Sequence, residues 1–167
     1  MGLKDRLNVS EQPQHTSFDR IEQAFLGQIT DDMYLELTKE DTEAILDEIL
    51  IQAIPWILHP KGKDLMDYDE EKREFNCSLD RDEINILTKY MEMVWLQQQI
   101  HTVDLVRQKY SGSDFKFTSQ ASHIKQLESA KQEVEREAYH LQSNYYRREK
   151  SADGIYHSTM KRIMEAL

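Results

Sequence analysis

The chain has 167 residues, with 21 Lys and Arg against 31 Asp and Glu, a formal charge of −10 and 39% hydrophobic residues, which fits one domain of ordinary size able to bury its own core. Residues 1–100 hold 22 acids and 10 bases while residues 101–167 hold 9 and 11, so tight phosphate binding by the first part is disfavoured and the acidity serves solubility at high local concentration. The single cysteine, Cys77, excludes an intrachain disulfide and a zinc knuckle.

Residues 1–29 are polar and weakly periodic around Gln12-Pro13-Gln14 and read as an N-terminal arm with a short helix near Phe18–Leu26, partly mobile when alone. Met1-Gly2 is followed by Arg6 where a myristoylation signal needs Ser or Thr. Neither a signal-peptide core nor a membrane-spanning apolar run occurs, which predicts a soluble, unprocessed protein in a reducing interior with no membrane partner. Asn8-Val9-Ser10 and Asn76-Cys77-Ser78 match the glycosylation triplet, a match frequent by chance.

Met33, Leu35 and Leu37 alternate as in a strand, while Thr30 before Asp31-Asp32 resembles a helix start; the residues leave both open. Thr38, followed by Glu40 and Asp41, opens a helix predicted to run from Lys39 to Leu58, since acids are favoured at a helix N-terminus. Its apolar residues, among them Ala44, Ile45, Leu46, Ile49, Leu50, Ile51 and Leu58, cover more than one stripe and predict a central position. Pro55 is expected to kink it or end its regular ladder, and His59-Pro60-Lys61-Gly62 to terminate it. A charged loop over Lys63–Lys72 then leads to Phe75, Cys77 and Leu79, which alternate as in a short strand with one buried face.

Asp80 with Glu83 three residues on forms a capping box, and Leu79 facing Ile84 a hydrophobic staple, so a helix starts here. Ile84, Leu87, Met91, Val94, Trp95, Leu96 and Ile100 carry it to Tyr110, about 40 Å, and Gly112 suits its stop. In the connector, Phe115 and Phe117 stand two apart, so an extended backbone sends both rings to one side. Such rings either meet a partner or fold onto their own core. Thr118 or Ser119 caps a third pattern through Ile124, Leu127, Val134, Ala138, Leu141 and Tyr145, with Lys131 as its polar interruption. Tyr145-Tyr146-Arg147-Arg148 closes that helix with cations suited to its dipole, and Ser151-Ala152-Asp153-Gly154 breaks the run before a tail, 151–167, whose Ile155, Met160, Ile163, Met164 and Leu167 need an external surface. The fold class is therefore mainly α: a bundle of about three principal helices with a short β or extended element, a helical domain over 30–150, and flexible terminal arms at 1–29 and 151–167.

No catalytic or cofactor-binding constellation emerges. Five glycines scattered singly make no phosphate loop, and the six histidines, His15, His59, His101, His123, His140 and His157, lack metal-ligand spacing. Asp64, Asp67, Asp69, Glu70 and Glu71 lack the glycine and closing Glu of a calcium hand. Glu36, Glu40, Glu43 and Asp47 read as a wet helix face, and Cys77 as a packed small residue rather than a nucleophile paired with His101 or His123. The reading is of a protein that is no enzyme and needs neither metal nor cofactor.

Three groups of phrases carry a resemblance. They are Ala53-Ile54-Pro55-Trp56 with Pro60-Lys61; Phe75 to Leu79 leading into Asp82-Glu83-Ile84 and on to Met91, Trp95 and Leu96; and Ser113-Asp114-Phe115-Lys116 with Ser119-Gln120-Ala121 and His123. In pattern and order, over about residues 30–150, the chain resembles the head-to-tail adaptor (connector) proteins of long-tailed bacteriophages, small mainly helical subunits that form a ring beneath the portal. The resemblance implies a structural virion protein of the neck, made in the host cytoplasm. It would form a ring of twelve copies that meets the portal on one side and a stopper or tail completion protein on the other, and genomic DNA would pass through without adhering. The expected subunit or partner contacts are Asp114, Phe115, Lys116 and Phe117 in the connector, Tyr145, Tyr146, Arg147 and Arg148, and the tail residues Ile155, Met160, Ile163 and Leu167. The alternative is a cytosolic helical regulatory module that captures a partner helix.

Overall fold

The computed structural model describes residues 15–29, 37–58, 60, 62–109, 117–150 and 156–158. The open reading of Met33 and Leu35, the connector residues Asp114, Phe115 and Lys116, and the tail residues Ile155, Met160, Ile163 and Leu167 lie outside them. In chain order the elements are β1 (Thr16–Ser17), α1 (Phe18–Leu26), α2 (Lys39–Ala53) with a 3₁₀ turn (Ile54–Trp56), β2 (Tyr68–Asp69), β3 (Glu74–Phe75), α3 (Arg81–Lys109), α4 (Phe117–Tyr146), β4 (Arg148–Lys150) and β5 (Tyr156–Ser158). The fold is mainly helical, with a small antiparallel sheet ordered β1-β3-β2, and β4 pairs with β5 in a separate two-stranded ribbon.

Local chemistry accounts for the helix starts. The Thr38 hydroxyl accepts the Asp41 N–H at 3.2 Å and caps α2. At α3 the Asp80 carboxylate accepts the Glu83 N–H at 2.9 Å and Glu83 accepts the Asp80 N–H at 2.7 Å, the reciprocal pair expected of the capping box. The predicted end of α2 at Leu58 is corrected to Ala53. Pro55 has no N–H to continue the ladder, so the chain tightens into a 3₁₀ turn closed by the Ile57 N–H on the Ile54 carbonyl. Gly62, at φ 74°, takes the left-handed conformation in the Pro60–Lys63 turn. The start of α4 is corrected as well: Phe117 is already its first residue, helical rather than extended.

The central helix is α3 rather than α2. Its first four turns are enclosed on several sides, with Ile84, Ile86, Leu87, Tyr90, Met91, Met93, Val94 and Leu96 all buried, because α1, α2 and α4 all pack on it. In α2 the broad apolar pattern is only partly used: Leu46, Ile49, Leu50 and Ala53 are buried, whereas Ala44 is exposed and Ile45 and Ile51 are half-buried. The segment read as an arm contributes to the core itself, with Phe18, Ile21 and Phe25 of α1 almost fully buried. Phe18, Tyr68 and Phe75 cluster with ring centres 5.0–6.2 Å apart, Tyr68 edge to face with Phe75 and Phe18 tilted against both. The buried Thr16 hydroxyl accepts the Leu79 N–H at 2.8 Å, which ties β1 to the start of α3.

Arg73 joins the sheet to α1 and α2. Its Nε donates to Asp47 at 2.9 Å, Nη2 to Glu22 at 2.9 Å and Nη1 to Asp19 at 2.6 Å, with Glu43 3.6 Å away, and its carbonyl accepts the Phe18 N–H. Glu43 and Asp47 are therefore half-buried ion-pair partners, not the wet face their spacing suggests; Glu40 alone of the described acids of that set is fully exposed. Arg73 holds φ 54°, a left-handed conformation that costs an L-residue about 1–2 kcal/mol. Arg73→Ala is expected to lower stability by about 3 kcal/mol by stranding its carboxylate partners. Arg73→Gly should lose about 1 kcal/mol less because glycine relieves the φ strain; urea-unfolding midpoints of the two variants decide it.

Glu22 is 4% exposed among Asp19, Glu43, Asp47 and Arg73. Burial, helped by a hydrogen bond with Asp47 and opposed by the guanidinium, pushes its carboxyl up to about 8 from an ordinary 4.5. Between those values the native protein holds a proton that the unfolded chain has released. The contribution is fully present below about pH 4.5 and is lost as pH rises to about 8. Unfolding midpoints measured at about pH 6 and about pH 9 should therefore fall more in the wild type than in Glu22→Gln, which cannot titrate; an equal fall in both would mean that Glu22 is already ionised at neutral pH.

Candidate interaction surface

The two long helices lie antiparallel as a hairpin, and its two ends differ in chemistry. At one end, the base, the start of α3 meets the end of α4 and the loop that follows α2. Glu83, 1% exposed, organises this end: besides closing the cap of α3, its carboxylate accepts from Lys63 Nζ and from the Tyr145 hydroxyl at 2.6 Å. Burial foremost, then the bond to Glu83, pushes the Tyr145 phenol well above its usual range, so it stays a donor at any ordinary pH. The Tyr146 hydroxyl donates to the Leu58 carbonyl, and the Leu58 N–H donates to the buried Gln142 side chain at 2.9 Å. Arg148 approaches Asp82 at 3.7 Å.

Of the contact residues expected from the sequence, Tyr145 and Tyr146 are thus half-buried within the chain's own fold, with their rings edge to face at 5.4 Å. Arg147 and Arg148 are exposed beside them, and the Arg147 N–H donates to the Ser143 carbonyl. A shallow groove here is lined by Asp82, Asn85, Ile86, Leu141, Asn144, Tyr145 and Arg148. Leu141 was expected in the seam of α4; instead it is 40% exposed and Gln142 is buried at that turn, after Val134 and Ala138. A helix of 3.6 residues per turn drifts off a strict seven-residue repeat, and Gln142 has the Leu58 N–H to satisfy its carbonyl. Exposed apolar side chains surround this end: Trp56 at 54%, Leu58 at 61% and Met66 at 61%.

The other end, the tip, has left the core. Beyond Leu96, α3 carries half-buried Ile100 and Val103 and then Leu105, 64% exposed, and Val106, 40% exposed. Among the described side chains, the facing part of α4 offers the partly buried Ala121, Ile124 and Leu127 before Val134. Two helices alone cannot enclose these residues, and among the described residues nothing corresponding to α1 or α2 packs that far along α3.

The described residues include no group of three or more His, Cys, Asp or Glu placed to hold a metal ion, and none of their helices is long and apolar enough to cross a membrane. Cys77 is half-buried beside the base, and burial pushes its thiol up, away from the reactive thiolate. His101 lies twenty residues along α3 from Arg81, about 30 Å up the helix, and is paired with Gln97; the Cys77–His101 pair is not assembled. What the surface can do chemically is present apolar, acidic and hydrogen-bonding groups to another macromolecule. No protein-family model, curated protein or solved structure matches this chain.

Removing the Tyr145 hydroxyl leaves one oxygen of a buried carboxylate unpaired, so Tyr145→Phe is expected to cost about 1–3 kcal/mol in urea unfolding. Tyr146→Phe frees a carbonyl at an exposed residue, which water can reach, and should stay within about 0.5 kcal/mol of the wild type.

Proposed function

We propose that this chain is a structural subunit of a head-to-tail adaptor ring in a long-tailed bacteriophage, joining the portal to the stopper or tail completion protein and forming part of the channel through which DNA passes. The observation that carries the reading is the α3–α4 hairpin, which projects from a small, tightly enclosed body and leaves Leu105 and Val106 in solvent. Such a rod is unfavourable for a molecule that works alone and natural for one flanked by neighbours. Around a ring the neighbour contact is heterologous and closes by rotation. The surplus of acids in residues 1–100 supports it further, because a negative wall repels phosphates and lets DNA slide. The order of the quoted phrases, from Ala53-Ile54-Pro55-Trp56 to Ser119-Gln120-Ala121, supports the family resemblance. The groove at Asp82, Asn85 and Leu141 favours the second reading, a regulatory module that binds a partner segment.

Mass photometry and negative-stain imaging of the purified chain, alone and with a portal protein, test the proposal. A closed ring that co-sediments with the portal is expected. The double variant Phe115→Ala/Phe117→Ala is expected to block ring or head-tail joining while retaining helical circular dichroism. A small stable complex with a host protein and no portal binding would favour the regulatory module instead.

A further inference from the structure

The last strand of the chain points at the groove at the base of the hairpin. β4 leaves the end of α4 and β5 returns antiparallel beside it, with Lys150 opposite Tyr156 and Arg148 opposite Ser158. A backbone running from Tyr156 to Ser158 is therefore heading back toward the end of α4, and Arg148, the partner of Ser158, itself lines the groove. The centre of the groove is apolar, with Ile86, Leu141 and the Tyr145 ring, and its rim is polar, with Asp82, Asn144 and Arg148, the layout of a contact surface. Leu141 stays 40% exposed there, although Val134 and Ala138 on the same helix are buried. Nine residues follow Ser158. Among them Met160, Ile163, Met164 and Leu167 recur at the spacing of one helical face, which leaves Lys161, Arg162 and Glu165 to the other. So short a stretch does not hold a helix alone. As a helix, its apolar span from 160 to 167 measures about 10 Å, which matches the seven residues from Leu141 to Arg148 along which the groove runs.

We infer that residues 159–167 fold back as a short helix onto this groove of their own chain, with Met160 beside Tyr145 and with Met164 and Leu167 over Leu141 and Ile86. The attraction is apolar. Arg147 and Arg148 are exposed at this end, so Lys161 and Arg162 belong on the solvent side, where their spacing puts them. A segment tethered at residue 158 meets the groove at an effective concentration on the order of millimolar, so a weak contact suffices to close it. The groove is thereby covered by the chain itself, and a foreign segment reaches Ile86 and Leu141 only by displacing the tail. The inference goes beyond the ring reading and does not depend on it.

Two measurements on the full chain test it, with circular dichroism and urea midpoints as folding controls. In a Cys77→Ser background, Leu141→Cys/Met164→Cys is expected to form a disulfide within the chain, running as a monomer on a non-reducing gel. It should oxidise at least about tenfold faster than the control pair Gln126→Cys/Met164→Cys, whose first position lies about 22 Å further along α4. Trypsin cleavage after Lys161 and Arg162, followed by mass spectrometry, reports how often the tail is undocked. Leu141→Asp should speed that cleavage at least about tenfold, and Leu141→Ala by less. The inference is overturned if the two cysteine pairs oxidise at equal rates, if the bridge forms between chains, or if Leu141→Asp is cleaved no faster than the wild type. A bridge between chains would seat the tail on a neighbouring copy and leave the adaptor reading intact. A bridge within a chain that forms no ring and binds no portal would do the reverse.

Discussion

A carboxylate with 1% of its surface in solvent must find partners for its charge, and Glu83 finds them in three separate stretches of chain: the Asp80 N–H, Lys63 and Tyr145. An ionised group this deep is tolerated only when charge and hydrogen bonds replace its lost hydration. Satisfying it therefore fixes the start of α3, the course of the loop after α2 and the register of the last turn of α4 together. The hairpin is pinned at this end and packed along its middle by Val134 and Ala138, and the remainder is free to project. The difference between base and tip follows from where the polar clamp sits.

Arg73 plays a matching part on the far side of the body. It stands in the turn between two strands of two residues each, too short to persist alone, and binds carboxylates from α1 and α2. The sheet is thereby held against the helices by a planar fork whose several donors suit several carboxylates at once. The surrounding acids outnumber this single cation, and burial makes full ionisation of the cluster unfavourable. Glu22 accordingly retains a proton at pH values where an exposed glutamate has lost it. A lysine could not replace this fork, since one ammonium cannot engage Asp47 and Glu22 side by side.

Much of the helical framework was legible because its signals are local. The capping box at Asp80 and Glu83, the Thr38 cap and the short helix at Phe18–Leu26 depend on residues a few positions apart. What failed depended on distance along the chain. The apolar breadth of α2 suggested a central helix, yet enclosure is decided by how many other elements cover a surface, and α3 is the helix that α1, α2 and α4 all touch. No periodicity marks a single Arg in a charged loop as the partner of residues 26 and 51 positions away; the available hint is the surplus of acids on α2, which Lys39, its one base, cannot balance. Gln142 was passed over for Leu141 because hydrophobicity was weighed without the Leu58 N–H that needs an acceptor. Among the expected contact residues, the tyrosines were recognised as distinctive, but their hydroxyls serve the chain's own fold.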